Sequence, residues 1–307
     1  MSKNLSELSG RGGIVDNLFE KMGKAAEKSG TVPQEELDKL AKEFLVGKAN
    51  TYGTITAYDF MKPENQGKKA YIGKGSALCC AGTQDAVMDS LWKHYKREEI
   101  GHMTCLGRCH ENAAFHIGGV NYSGEAASNL SQIVSTQGAL QPKDQYNVAA
   151  NKEVLTAPFT DVDAFYGLLN DVFKQSPEQV LEEIKTSNIR GRGGAGFPMG
   201  VKWDFCRKAE SDTKFIICNA DEGDPGAYSD RYLLEERPHS VLFGMMVGGY
   251  CMGAQWGILY IRAEYPESVD IVQNAIQELR DRNLLGENIL GSGFNFDFKV
   301  IKAQGAY

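Results

Sequence analysis

Residues 191–203, GRGGAGFPMGVKW, hold five glycines together with Arg192, Pro198, Lys202 and Trp203. Glycine has no Cβ, so it reaches φ > 0 and lets main-chain N–H groups converge on an anion, while Arg192 and Lys202 add positive charge on either side. The stretch therefore predicts a loop that brings backbone against a phosphate-bearing ligand. A flexible surface loop would also be rich in glycine, but here both flanks read as ordered structure. Upstream, Ser176-Pro177-Glu178-Gln179 reads as a capping box with Pro177 at the first helical position, opening a helix over EQVLEEIKTSN. Downstream, KFIICNAD (214–221) reads as a buried strand that ends in carboxylates.

Beyond that strand, a helix is expected over about 239–252, a strand over 257–265, a helix over 266–283 and a strand over 295–303. A helix over 163–173 precedes the capping box. Strand alternating with helix predicts a parallel sheet with its ligand at the strand carboxyl ends, hence an α/β class for this half.

The first half follows a different order. An amphipathic helix over 14–26 places Ile14, Leu18, Phe19, Met22 and Ala26 on one face. A second helix is expected from a capping box at Thr31–Gln34, with Leu37, Leu40, Ala41 and Phe44 inward. Then come a strand at 69–73, a helix at 83–97, a strand at 103–105 and two short strands within 115–123. That order is thioredoxin-like. Between the halves, residues 136–160 are polar and lack a period, which reads as a linker.

The chain has 307 residues, 42% hydrophobic and 24% charged, with a net charge of −7. That length accommodates two cores, and the acidic balance without a basic stripe argues against a nucleic-acid binder. No apolar run approaches the roughly 20 residues a membrane span needs, and the N-terminus lacks the apolar segment of a signal peptide, so a cytoplasmic protein without membrane insertion is expected. Seven cysteines are then thiols or cluster ligands rather than disulfides. Cys206, Cys218 and Cys251 read as buried structural thiols. His94, His102, His110 and His116 match no zinc spacing, so no metal site is expected. His239, beside Pro238 at a helix start, reads as a capping or packing residue, and no residue stands out as a catalytic group.

Taken together, GRGGAGFP with its KW, CNADEGDPGAYSDR (218–231), RPH (237–239), YIRAEYP (260–266) and LLGENILGSGFNFDF (284–298) resemble the FMN- and NADH-binding flavoprotein subunit of respiratory complex I. The same module serves NAD-reducing hydrogenases, NAD-linked formate dehydrogenases and the β subunits of electron-bifurcating hydrogenases, and NADEGDPGA is most similar to the last of these. The resemblance implies an FMN cofactor, NAD(H) as substrate and iron–sulfur subunits of a hydrogenase, formate dehydrogenase or related complex as partners. It assigns Gly191, Arg192, Gly193, Gly194 and Lys202 to the flavin and Asn219, Asp221 and Glu222 to its ribityl chain and ring, with Tyr307 in the same site. Phe197, Phe205 and Asp224 match the nicotinamide-nucleotide positions, although plain core packing is an equal reading of the two phenylalanines. Asp224 stands where the family usually has glutamate.

The first half resembles the helical bundle and thioredoxin-like [2Fe–2S] ferredoxin of the complex I peripheral arm, through GTVPQEELDKLAKEF, YGTITAYDF and CLGRC (105–109). The implied organisation is a ferredoxin-type domain over 1–135, a linker over 136–160 and the N-terminal part of an FMN-binding domain over 161–307. Cys105 and Cys109 fit one ligand loop of a four-cysteine cluster. On the other loop Gly73 and Leu78 stand where ligands should be, and Cys79 and Cys80 are displaced into a helix start. A register using Cys80 and Asp85 is the alternative. The expectation is that no [2Fe–2S] cluster binds.

The family continues past GAY into a turn that helps hold flavin and nicotinamide, then into a ubiquitin-like domain and a helical [4Fe–4S] domain. From this the sequence predicts loose FMN binding and no useful NADH oxidation by these residues alone. The rival expectation is a structural or adaptor subunit whose cofactor sites have decayed.

Overall fold

The computed structural model describes residues 18–29, 31–138, 145–146, 148, 151–157, 159, 161–224, 226–262 and 264–303. The chain forms two compact units, residues 1–146 and 147–307.

The first described elements of unit 1 are the helices α1 (Leu18–Ser29), α2 (Gln34–Glu43) and α3 (Lys48–Ala57). Leu18 and Met22 from α1 meet Leu37 and Leu40 from α2 in a small core, with Ala26 and Phe44 packed on it. A capping box was expected to open α2 at Thr31–Gln34, and the helix itself begins at Gln34. Pro33 is extended (φ −60°, ψ 147°) and sits at the N-cap of the helix.

The sheet of unit 1 has the order β2-β1-β3-β4. β1 (Ala70–Gly73) runs parallel to β2 (Ile100–Met103) and antiparallel to β3 (Phe115–Ile117), which turns back into β4 (Val120–Tyr122). The helix expected over 83–97 is α5 (Gln84–Leu91), which ends early, and a short helix that was not expected, α4 (Ser76–Ala81), precedes it and stops at Gly82 with φ 70°. The strand expected at 103–105 lies three residues earlier. Side chains bring it to an end: the Asn65 amide donates to the His102 carbonyl (2.8 Å) and accepts from the His102 N–H (2.9 Å), and the Asp59 carboxylate accepts from the Thr104 N–H. A last helix, α6 (Leu130–Ser135), covers the sheet through Leu130 and Ile133.

Unit 2 begins with α7 (Val162–Gly167), capped by Asp161, and α8 (Leu169–Phe173), two segments where one helix was expected. In α9 (Pro177–Thr186) the predicted capping box is present: Ser176 Oγ accepts from the Gln179 N–H (3.3 Å) and Gln179 Oε1 accepts from the Ser176 N–H (2.8 Å). There follow α10 (Met199–Lys208), β5 (Phe215–Ala220), α11 (Ser229–Glu236), α12 (Pro238–Met252), β6 (Trp256–Arg262), α13 (Pro266–Asp281) and β7 (Asp297–Ala303). All strand pairings are parallel, in the order β5-β6-β7.

Helices α12 and α13 bury one face of this sheet, with Leu242, Met246, Val269, Val272 and Ile276 against Leu259, Ile261 and Phe298. The contact is close enough to need glycine. A Cβ on Gly249 of α12 would stand 2.5 Å from the Phe296 ring.

Among the described residues, the other face carries no such layer. The register places Phe215, Trp256 and Asp297 in one row, Ile217, Ile258 and Lys299 in the next, and Asn219, Tyr260 and Ile301 in the third. Ile217 is 64% exposed and Phe215 50%. The expectation of a buried strand over 214–221 is therefore corrected: an unbroken apolar run carries no period that would reveal which face is covered, and among the described residues only one is.

One hydrogen-bonded corner fixes direction within unit 2. Arg207, near the end of α10, donates to the Cys251 carbonyl near the end of α12 (2.8 Å). Lys214, just before β5, donates to the Arg207 carbonyl (2.6 Å), and Gln255, just before β6, donates through its N–H to the Lys214 carbonyl (3.2 Å). The carboxyl ends of both helices thus meet the amino ends of both strands. The amino end of α10, the amino end of α12 and the carboxyl ends of the strands are at the opposite edge.

Candidate functional site

That opposite edge carries the glycine loop. Arg190 and Pro198 form an isolated antiparallel bridge, closed by Gly191 N–H to the Phe197 carbonyl and Met199 N–H to the Ile189 carbonyl, both 2.9 Å. Arg190 Nη1 donates across the loop to the Gly196 carbonyl at 3.0 Å. Gly194 (φ 104°) and Gly196 (φ 59°) have backbone that side chains rarely adopt, which is the physical reason for glycine at those two positions.

Gly193 is not constrained in this way, and a Cβ built on Gly193, Gly194 or Gly196 meets no atom within 4 Å. The protein's own packing does not fill the space over the loop. An open pocket of about 530 Å³ lies there, lined by Ile189, Arg190, Gly191, Arg192, Gly194 and Gly196. This size falls within the range of small-molecule and cofactor sites. The loop runs directly into the amino end of α10, whose free N–H groups and dipole favour an anion. Lys202 lies one turn into that helix and is exposed. Phosphate fits this donor set: glycine backbone, two arginines, a lysine and a helix amino terminus.

Phe197 and Phe205 are 47% and 63% exposed, with ring centroids 6.5 Å apart and planes tilted by 45°. Neither packs in a core, which removes the core-packing reading of the pair.

Beyond β5, the turn at 219–224 divides its work. Asn219 is exposed on the bare face, and its Oδ1 accepts from the Asp221 N–H (3.2 Å). Asp224 is exposed, and its carbonyl accepts from the Ala227 N–H (3.0 Å). Glu222 is engaged by the protein itself: Oε1 accepts from Ser229 Oγ (3.0 Å) and the Asp230 N–H (3.1 Å), and Oε2 from the Arg231 N–H and the Tyr265 hydroxyl (both 3.3 Å). Its carboxylate caps the amino end of α11. Tyr307 lies outside the described residues.

Arg231, Tyr265 and Arg262 behind this turn were not singled out from the sequence. Arg231 is fully buried and donates through Nε to Glu235 (2.8 Å), while Arg262 donates to the Glu222 carbonyl. The signal was available in the charged run DEGDPGAYSDR, but charge alone does not tell a surface turn from a buried network. Burial, and then the Glu222 charge, push the Asp230 carboxyl up to about 6. Burial pushes the Cys218 and Cys251 thiols up to about 11, consistent with structural thiols. His239 stacks on Phe159 and lies 3.3 Å from Glu278, a packing role.

In unit 1 the two loops expected to face a cluster are built differently. Leu78 is fully buried with Met103, Leu106 and Ala114, and Cys109 packs on this group. A Cβ on Gly73 would stand 2.5 Å from Leu78 Cδ1. Cys79 and Cys80 are exposed on α4, and Cys105 accepts from the Gly107 N–H through its sulfur. Among the described residues, no three His, Cys, Asp or Glu side chains are grouped so as to hold a metal ion. No described helix is long and apolar enough to cross a membrane.

Residues 184–307 match the family model described as the Nuo51 FMN-binding domain. Among curated proteins the chain is 48% identical over 142 residues to the NADP-reducing hydrogenase subunit HndC of Solidesulfovibrio fructosivorans, covering 46% of this chain and 29% of that protein. It is 48% identical over 141 residues to the NAD-reducing hydrogenase HoxS subunit alpha of Cupriavidus necator, covering 46% and 23%. It is also 46% identical over 132 residues to a subunit of the NADH-quinone oxidoreductase of Rhizobium meliloti, covering 43% and 31%. The matches thus span less than a third of these relatives' lengths. Among solved structures, an NAD+-reducing [NiFe]-hydrogenase in the H2-reduced state shares the fold over 92% of this chain and 51% of that one, with TM-score 0.61 and 22% identity. The flavoprotein resemblance read from the motifs in 191–298 is thereby supported.

Proposed function

We propose that this chain is an electron-transfer subunit that binds FMN on the 190–198 loop and passes electrons between NAD(H) and iron–sulfur partners of a hydrogenase, a formate dehydrogenase or a related cytoplasmic complex. FMN, when bound, supplies the exchange between two-electron hydride chemistry and one-electron transfer. The chain's own residues bind and orient. Gly191, Arg192, Gly193 and Gly194 present backbone and charge to the phosphate and ring edge, and Lys202 adds a charge-assisted hydrogen bond. Asn219 and Asp221 turn toward the ribityl chain, and Glu222 holds that turn rigid against α11 while its carbonyl side stays fixed by Arg262. Phe197 and Phe205 offer an apolar surface for the nicotinamide nucleotide, with Asp224 toward its ribose hydroxyls and Tyr307 completing the site. Unit 1 is proposed to be a thioredoxin-like docking domain without a cluster, joined through a linker near residues 136–160. The alternative of an adaptor with decayed cofactor sites is less favoured, because the glycine loop keeps its open space.

The observation that carries this reading is that open space over Gly193, Gly194 and Gly196, at the strand carboxyl edge and helix amino terminus. Titration of the purified chain with FMN, followed by flavin fluorescence, tests it. Saturable binding is expected, and Lys202→Ala should weaken it by about tenfold or more, the effect of losing one charge-assisted hydrogen bond. No binding, or an unchanged affinity in the variant, would contradict the assignment.

A further inference from the structure

Four basic side chains of unit 1, drawn from separate stretches of sequence, line one cavity of about 500 Å³ beside β2: Lys62 and Lys68 from the segment before β1, Lys74 just after it, and His102 on β2 itself. The carboxylates of the lining are Asp59 and Glu64. Lys62 is neutralised, because its Nζ lies 2.5 Å from Asp59 Oδ1, and the other oxygen of that carboxylate accepts from the Thr104 N–H. Lys68 donates to the Glu98 carbonyl at 2.7 Å, and Lys74 Nζ lies 3.4 Å from His102 Nε2. Among the described residues neither of these two ammonium groups is ion-paired with a carboxylate. Since a lysine ammonium can only donate, His102 faces Lys74 as a neutral acceptor. Partial burial of the ring, and then the charges of Lys74 and Lys68, hold it below its ordinary pKa.

We propose that this cavity binds the phosphate group of a small soluble phosphate monoester through Lys68, Lys74 and His102. An oxyanion placed between them would accept from both ammonium groups, and from the imidazole once it has taken a proton, so that charges of like sign no longer face each other unrelieved. A concave wall strengthens the field of its charges. A phosphate monoester carries close to two negative charges near neutral pH, which answers two ammonium groups better than a carboxylate does. The cavity also falls in the size range of small-molecule sites, which leaves room for an organic remainder beyond the phosphate. The wall is built before a ligand arrives: the Asn65 amide holds both backbone groups of His102, at 2.8 and 2.9 Å, and is itself buried. Such preorganisation reduces the ordering that binding requires. Glu64 is exposed and weakens the site by its charge. The cavity shares no residue with the 190–198 loop, so its occupancy is independent of the flavin reading.

Proton NMR of the full 307-residue chain follows the His102 Hε1 signal, assigned by its loss in His102→Gln. Inorganic phosphate and glycerol 3-phosphate are titrated against sodium chloride of equal ionic strength. Both phosphates should shift the signal saturably, and saturation should raise the His102 pKa by about one unit or more, the linkage of a tenfold preference for the imidazolium. Lys74→Ala should raise that pKa in the free chain, because a like charge is gone, and weaken phosphate binding by about tenfold or more. Lys68→Ala should weaken binding likewise, Glu64→Gln should tighten it severalfold, and circular dichroism should show each variant folded. Lys202→Ala should leave the response unchanged, which separates this cavity from the glycine loop. An equal response to chloride, an affinity indifferent to Lys74→Ala, or a response lost in Lys202→Ala would overturn the proposal. So would binding confined to phosphatidic acid vesicles, which would place the phosphate on a lipid.

Discussion

Two glycine-bearing loops, one in each unit, have opposite fates. Over Gly193, Gly194 and Gly196 an added Cβ would meet nothing within 4 Å, while at Gly73 it would lie 2.5 Å from Leu78 Cδ1. In unit 2 glycine keeps space open for something that is not protein. In unit 1 the neighbouring apolar side chain has taken the space, and Leu78 joins the core with Met103, Leu106 and Ala114. The difference teaches that a glycine loop signals a ligand only when nothing in the fold occupies the volume its missing side chains leave.

The largest effect expected from this contrast is at the plug. Leu78→Ala should destabilise unit 1 by about 2–5 kcal/mol, since it removes a fully buried leucine and leaves a cavity; urea denaturation reads this, and a loss below about 1 kcal/mol would mean that Leu78 does not fill the loop. Iron analysis and electron paramagnetic resonance after dithionite probe the same place. The expected result is no [2Fe–2S] signal, and about two irons per chain with a signal lost in Cys109→Ser would reverse the reading.

A matched pair of glycine substitutions sharpens the comparison. Gly73→Ala should cost about 1–3 kcal/mol by overpacking against Leu78. Gly193→Ala should change stability by less than about 0.5 kcal/mol and act instead on FMN affinity. Equal stability losses, or an unchanged FMN affinity in Gly193→Ala, would remove the distinction between a filled and an open loop.

The smallest effect concerns Asp230, beside the Glu222 cap. A carboxyl pushed up to about 6 is protonated more readily in the folded than in the unfolded chain. Its contribution is therefore neutral at low pH and becomes unfavourable as pH rises from about 4, near the ordinary aspartate value, through 6. Asp230→Asn should leave stability unchanged near pH 4 and raise it by roughly 1 kcal/mol near pH 7.5, after allowance for partial exposure. A stability gain that is the same at both pH values would show that charge is not the cause.

Much of unit 2 was legible in advance because its signals are local. The Ser176–Gln179 capping box, the alternation of strand with helix and the glycine run depend on neighbours within a few residues, and short-range sterics and hydrogen bonding enforce them wherever the chain folds. Unit 1 was less legible. The β2 strand shifted to 100–103 because Asp59 and Asn65, about 40 residues upstream, hold Thr104 and His102. The helix after Thr31 begins only at Gln34, since Pro33 is extended.

The sequence by itself determined the loop chemistry and the parallel α/β order of the second half, since each is a matter of residue type and near spacing, while the mismatch of Gly73 and Leu78 with a ligand loop followed from the resemblance to the ferredoxin family. Only the tertiary structure decided the rest. It exposed Phe197 and Phe205 when core packing was equally open, turned Glu222 inward as the cap of α11, and left one face of β5 uncovered. These outcomes depend on which elements pack against which. A linear pattern can tell that a side chain is apolar or charged, but burial and pairing are set by partners distant in the chain.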